Sequence, residues 1–124
     1  MATGKYEMIV DHNKKVFIAF AEGFFSMEQG ERFCKEFIQK SNALPANEYN
    51  LIVDAGGVKP STKEVAEALN NAIKLYIEGP FKKRFVVKLS DFIGQSQFVR
   101  LGKTRPGFDK LTFVSSKDEA YTLL

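Results

Sequence analysis

Seven kinds of side chain in this 124-residue sequence could carry chemistry, and each has a bland reading beside the sharp one. His12 is the only histidine. It falls in a polar stretch, His12-Asn13-Lys14-Lys15, with no serine or cysteine near it, so it reads as a solvated loop residue. Cys34 is the only cysteine and lies in an apolar stripe with Phe33, Phe37 and Ile38. A thiol there is a packing residue, with a raised pKa and little reactivity. One cysteine also makes neither an internal disulfide nor a metal site. Asp54 ends an apolar run, where α/β proteins place ligand-contacting groups. Its structural alternative is to accept N–H groups from a Gly56-Gly57 turn. Those two glycines lack the further glycines and the lysine of a phosphate-cradling loop. No carboxylate pair, metal-spaced cluster or cofactor motif accompanies them, so neither enzyme activity nor a cofactor is expected.

Ser61 and Thr62 stand at the start of a helix-periodic stretch, and Ser61 with Glu64 reads as a capping box. A cap is a sufficient role for Ser61. A phosphate on Ser61 or Thr62 would also sit well at a helix N-terminus and offer new charge to a partner. The remaining candidates are the basic residues Lys82, Lys83, Arg84, Lys88, Arg100, Lys103 and Arg105. Residues 1–79 hold nine basic and eleven acidic side chains, whereas residues 80–124 hold nine and four. That asymmetry could serve an anionic partner. These residues fall in separate elements without a nucleic-acid motif, so a solvated rim is the expectation, and nucleic acid is not an expected partner.

The elements that must position these residues follow from the apolar pattern. Tyr6 to Asp11 and Val16 to Gly23 are strand-like runs separated by a hairpin-length loop. The second run, Val-Phe-Ile-Ala-Phe-Ala, does not alternate and so reads as buried on both faces. Ser26 and Gln29 open a helix with a capping box; Gly30, Phe33, Cys34, Phe37 and Ile38 form its apolar stripe. A third strand spans Tyr49 to Asp54, with residues 55–60 as the loop beyond it. Val65, Leu69, Ala72, Ile73, Tyr76 and Ile77 make the second helix, which Gly79-Pro80 ends. Phe85 to Leu89 is the fourth strand, and a third helix runs from Asp91 to about Leu101 with Gly102 as its cap. Leu111 to Ser115 is the fifth strand, and Ser116 with Glu119 caps a short final helix.

The order ββαβαβαβα predicts an α/β fold. Its mixed five-stranded sheet is parallel except for the first strand and carries about four helices. The expected core includes Ile9, Phe17, Ile18, Phe20, Phe33, Phe37, Leu51, Ile52, Val53, Leu69, Ile73, Phe85, Val87, Leu111 and Phe113. With 44% apolar and 27% charged residues, one globular domain over residues 1–124 is expected. No apolar run approaches the ~20 residues of a membrane span, and the N-terminus lacks a signal-peptide core, so a cytoplasmic location is expected.

The element order, the stretch Leu51-Ile52-Val53-Asp54-Ala55-Gly56-Gly57-Val58 and the tail Phe113-Val114-Ser115-Ser116-Lys117-Asp118-Glu119-Ala120 resemble the STAS family. That domain is shared by bacterial anti-sigma factor antagonists and the cytoplasmic ends of sulfate transporters. The resemblance implies a regulatory function through protein–protein contact, with a regulatory or kinase-like partner. It places the contact at Asp54, Gly56, Gly57, Lys59, Ser61, Thr62 and Lys63. The antagonists carry Asp-Ser-Ser-Gly at the start of the second helix, and a partner kinase phosphorylates its serine. Here Lys59-Pro60-Ser61-Thr62-Lys63-Glu64 lacks the acidic residue and the glycine, so the phosphoswitch is not expected. The alternative is a small apolar ligand or lipid carrier of a more divergent STAS-like subgroup. Such a carrier should show a cavity of hundreds of Å³.

Overall fold

A computed structural model describes residues 4–59 and 62–124, apart from the side chain of Glu64. The chain begins with the hairpin of β1 (Lys5–Asp11) and β2 (Val16–Gly23). Its turn closes when Asp11 Oδ1 accepts from Lys14 N at 3.0 Å, and Lys15 takes the left-handed conformation at φ 55°. Then come α1 (Met27–Asn42), β3 (Asn50–Val58), α2 (Lys63–Glu78), β4 (Arg84–Val87), α3 (Phe92–Gly102), β5 (Leu111–Val114) and α4 (Lys117–Thr122). Single 3-10 turns at Ala46–Glu48 and Phe108–Lys110 lead into β3 and β5. Helices and strands alternate as the apolar periodicity requires.

The five strands form one sheet in the order β1-β2-β3-β4-β5, antiparallel between β1 and β2 and parallel thereafter. Space order equals chain order, and this decides where the helices go. Right-handed crossovers that always advance in one direction place every crossover helix on the same face. One apolar cluster accordingly joins α1, α2 and α3 to Phe17, Ala19, Leu51, Val53 and Val86. Among the described residues the opposite face has only α4, whose Ala120 and Tyr121 pack with Val16, Ile18, Ile52, Phe85 and Val114. Tyr121 also donates to Asp11 Oδ2 at 3.0 Å, which ties α4 to the hairpin. Val16 to Ala19 of β2 are buried from both sides, as their unbroken apolar run predicts. Of the expected core, Ile9, Phe20, Leu69 and Phe113 are half-buried and the other members are fully buried.

Caps reward the local reading in part. Ser26 and Gln29 form both bonds of the capping box. At α2 the cap is Thr62, whose hydroxyl accepts from Val65 N at 3.4 Å; the expected Ser61–Glu64 box lies outside the described residues. Gly102 is not the cap of α3 but its last residue, with Lys103 as cap. Its lack of a side chain serves packing instead, because a Cβ there would lie 2.3 Å from the ring of Phe108. Ser116 caps α4, while Glu119 turns to accept from Ser115 Oγ at 2.7 Å. Ile38, expected in the stripe of α1, is exposed.

Candidate functional site

In a parallel sheet the ends of the strands and the starts of the helices share one edge, which is the usual ligand-facing edge of α/β folds. Here that edge gathers the residues after β2, β3, β4 and β5. The third strand is longer than its sequence suggests. It runs through the two glycines to Val58, so Asp54, Gly56 and Gly57 lie inside it rather than at its end and in a loop. The glycines are explained by crowding. A Cβ on Gly57 would stand 3.0 Å from Glu22 Cβ, and one on Gly56 would stand 3.1 Å from Val87 and 3.2 Å from Lys88 O. The Gly56 carbonyl accepts from both the N–H and the hydroxyl of Ser90, at 2.8 and 3.0 Å. This stitches the start of α3 to the end of β3.

Asp54 therefore does not accept N–H groups from a Gly56-Gly57 turn. Alternation along β3 turns it to the α4 face, opposite Phe20 of β2. Burial raises its pKa above the ordinary carboxylate value, Lys117 opposes this, and Asp118 and Glu22 add to it. Glu22 itself pairs with Lys5 at 2.8 Å. The expected contact residues thus divide between two faces. Lys59, Thr62 and Lys63 are exposed at the start of α2, and Asp54 lies on the far side of the sheet. Ser61 lies outside the described residues.

Composition offered no pointer to the most unusual feature of this edge. Phe24, Met27, Phe92 and Ile93 are exposed, Phe92 by 84% and Ile93 by 67%. All four flank helix starts at the strand-end edge. Asp91 caps α3 by accepting from Ile93 N and Gly94 N, which fixes Phe92 and Ile93 in the first turn. The usable signal was phase: the buried residues of α3 are Gly94, Phe98 and Gly102, and the adjacent Phe92 and Ile93 fall off that stripe.

Beneath the edge, between α1, α2, α3 and the sheet, lies an apolar cavity of about 70 Å³ that is partly open to solvent. Phe25, Phe33, Val58, Val65, Leu89 and Phe98 are among its walls, and among the described residues Tyr76 supplies the only polar side chain. Tyr76 is 3% exposed, and its ring meets Phe37 edge-on at 5.5 Å. Burial pushes its phenol far above the ordinary range, and the neighbouring Cys34 adds to this. No hydrogen bond to its hydroxyl is found among the described residues.

The remaining candidates have structural partners. His12 Nδ1 and the Tyr49 hydroxyl share a hydrogen bond of 2.9 Å at the opposite edge of the sheet. Cys34 Sγ donates weakly to Ala68 O at 3.7 Å, and burial pushes its thiol up to about 11. Arg84 donates to Gly79 O, Arg105 to Asn70 Oδ1 and Lys83 to Leu123 O. Burial lowers the pKa of Arg84. Among the described residues no cluster of His, Cys, Asp or Glu could hold a metal ion, and no helix is long and apolar enough to cross a membrane.

Compared with known proteins, the sequence matches no protein-family model and no curated protein.

Proposed function

We propose that the chain is a non-catalytic, STAS-like regulatory domain that binds a protein partner through the strand-end edge. The observation that carries this reading is the make-up of that edge. Phe24, Met27, Phe92 and Ile93 are exposed there beside Lys59, Thr62 and Lys63. Exposed aromatic and aliphatic side chains next to charged ones have the composition of an interface core with its rim. Lys59 and Lys63 favour an acidic or neutral partner surface. Thr62 already spends its hydroxyl on the cap of α2, which supports a contact without a phosphoswitch. Two further observations fit: His12 is bonded to Tyr49 away from this edge, and the Cys34 thiol is raised to about 11. The carrier reading ranks second because the cavity, at about 70 Å³, is smaller than the hundreds of Å³ a resident lipid would need.

The test begins by capturing and purifying a partner from the native host. Its affinity is then measured for the wild type, for Thr62→Asp with Lys63→Asp, and for Phe92→Ser with Ile93→Ser. Both double variants should bind at least about tenfold more weakly while melting near the wild-type temperature. Unchanged affinity in both would move the interface elsewhere, first to the rim around Arg100 and Lys103.

A further inference from the structure

We propose that the cavity between α1, α2 and α3 is a binding site for a small neutral molecule with an apolar body and one hydrogen-bond acceptor, to which the Tyr76 hydroxyl donates. Of the fifteen described residues that line it, fourteen have no polar side chain. Such a lining holds water poorly, because an ordered water makes about 2–4 polar contacts and the side chains here offer one. A dry apolar cavity of about 150 Å³ takes up benzene. This one, at about 70 Å³, admits part of such a body and leaves the remainder where it opens to solvent.

The second observation is Tyr76 itself. It is 3% exposed, no hydrogen bond to its hydroxyl is found among the described residues, and that hydroxyl is not one of the fully enclosed polar atoms left without a partner, so it keeps a little open space beside it. Side chains on a helix lean toward its N-terminus. From position 76 that direction leads past Ala72, Leu69 and Val65, all of which line the cavity. By this rule the ring leans along the cavity that it lines, and its hydroxyl is the side-chain donor offered there. Val58, at the end of β3, and Val65, in the first turn of α2, mark the strand-end extremity; Tyr76 marks the inner one. A ligand enters with its acceptor leading.

The charge of the ligand follows from the same lining. An anion would be stripped of water and given a single donor in return, which is unfavourable. A ketone, ester or ether oxygen needs only that donor. The cavity thus selects a neutral carbonyl or ether compound over both a carboxylate and a plain hydrocarbon.

Cyclopentanone and cyclopentane are suitable probes, since they share a skeleton and differ by one acceptor. Titrations of the full chain followed by amide NMR should shift the resonances of cavity-lining residues with both. Cyclopentanone should bind about fivefold more tightly, the worth of one hydrogen bond. In Tyr76→Phe that preference should vanish while cyclopentane still binds. Ala55→Val narrows the cavity from the sheet side, away from Tyr76, and should weaken both probes. Shifts confined to residues outside the cavity would overturn the proposal. So would a ketone preference that survives Tyr76→Phe, or binding of both probes undiminished in Ala55→Val. If Tyr76→Phe does not fold, the Ala55→Val titrations decide the site.

Discussion

Gly30 of α1 and Ala68 of α2 face each other closely where the two helices pack. A Cβ on Gly30 would lie 2.8 Å from the Cβ of Ala68. Two carbons rest at about 3.5–4.0 Å, so Gly30→Ala forces the helices apart by roughly 1 Å. Overpacking of this kind costs about 1–3 kcal/mol, and the better helix propensity of Ala returns about 1 kcal/mol. The single variant should therefore lose about 1 kcal/mol. Ala68→Gly gives up about 1 kcal/mol of propensity and about 0.8 kcal/mol for a methyl group that is now buried, or about 2 kcal/mol together. In the double variant the propensities exchange, and the methyl sits in nearly the same place on the other helix. Its stability should return to within about 0.5 kcal/mol of the wild type, so the pair is about 3 kcal/mol better than additive. Urea denaturation of all four proteins measures this, and each 1 kcal/mol moves Tm by about 4 °C in a chain of this size. Additivity, or a Gly30→Ala protein more stable than the wild type, would refute the packing argument.

Three other outcomes are expected. Thr62→Ala should cost about 1 kcal/mol in thermal denaturation, whereas Thr62→Asp with Lys63→Asp keeps a capping oxygen, suits the helix dipole and should hold or gain a few tenths. Cys34 should react with iodoacetamide at pH 8 about 100-fold more slowly than an ordinary cysteine, since its thiol is pushed up to about 11 from 9.0; a rate like that of the unfolded chain would contradict its burial. Asp54 holds its proton more tightly in the folded chain, so its contribution is fullest below the ordinary value of 3.8 and is lost as pH rises through the raised folded value. Asp54→Asn should accordingly be more stable than the wild type at pH 7, with the difference closing below pH 3.8; a constant difference across that range would place the cause elsewhere.

Element order was readable because each strand run and each helical stripe has a different period, and Ser26, Ser116 and Gly79 punctuate them with ordinary cap chemistry. The length of β3 was not readable, since Gly56 and Gly57 look like a turn in isolation. Only the crowding by Glu22, Val87 and Lys88 makes glycine a strand residue there. Gly102 misled for the same reason, its neighbour being Phe108 rather than a helix terminus. The division of the candidate site is also a tertiary fact. Asp54 and Lys59 are near in sequence, yet alternation along a strand that continues past Asp54 turns the carboxylate to the α4 face. Phe92 and Ile93 were visible as letters, but their exposure depends on which face of α3 meets the sheet.

The identity of chain order and space order has a consequence for how the molecule comes to be folded. Each strand after the first docks on the strand made just before it, and each crossover helix covers the seam just formed. Loop closures stay short, and a growing chain can assemble progressively from the hairpin outward without waiting for a distant segment. The opposite face obeys a different timetable. Val16, Ile18, Ile52 and Phe85 are uncovered until α4, a helix of six residues, arrives after β5. A nascent or frayed chain therefore presents one finished side and one adhesive side, and the Tyr121–Asp11 bond is the latch that ends that exposure.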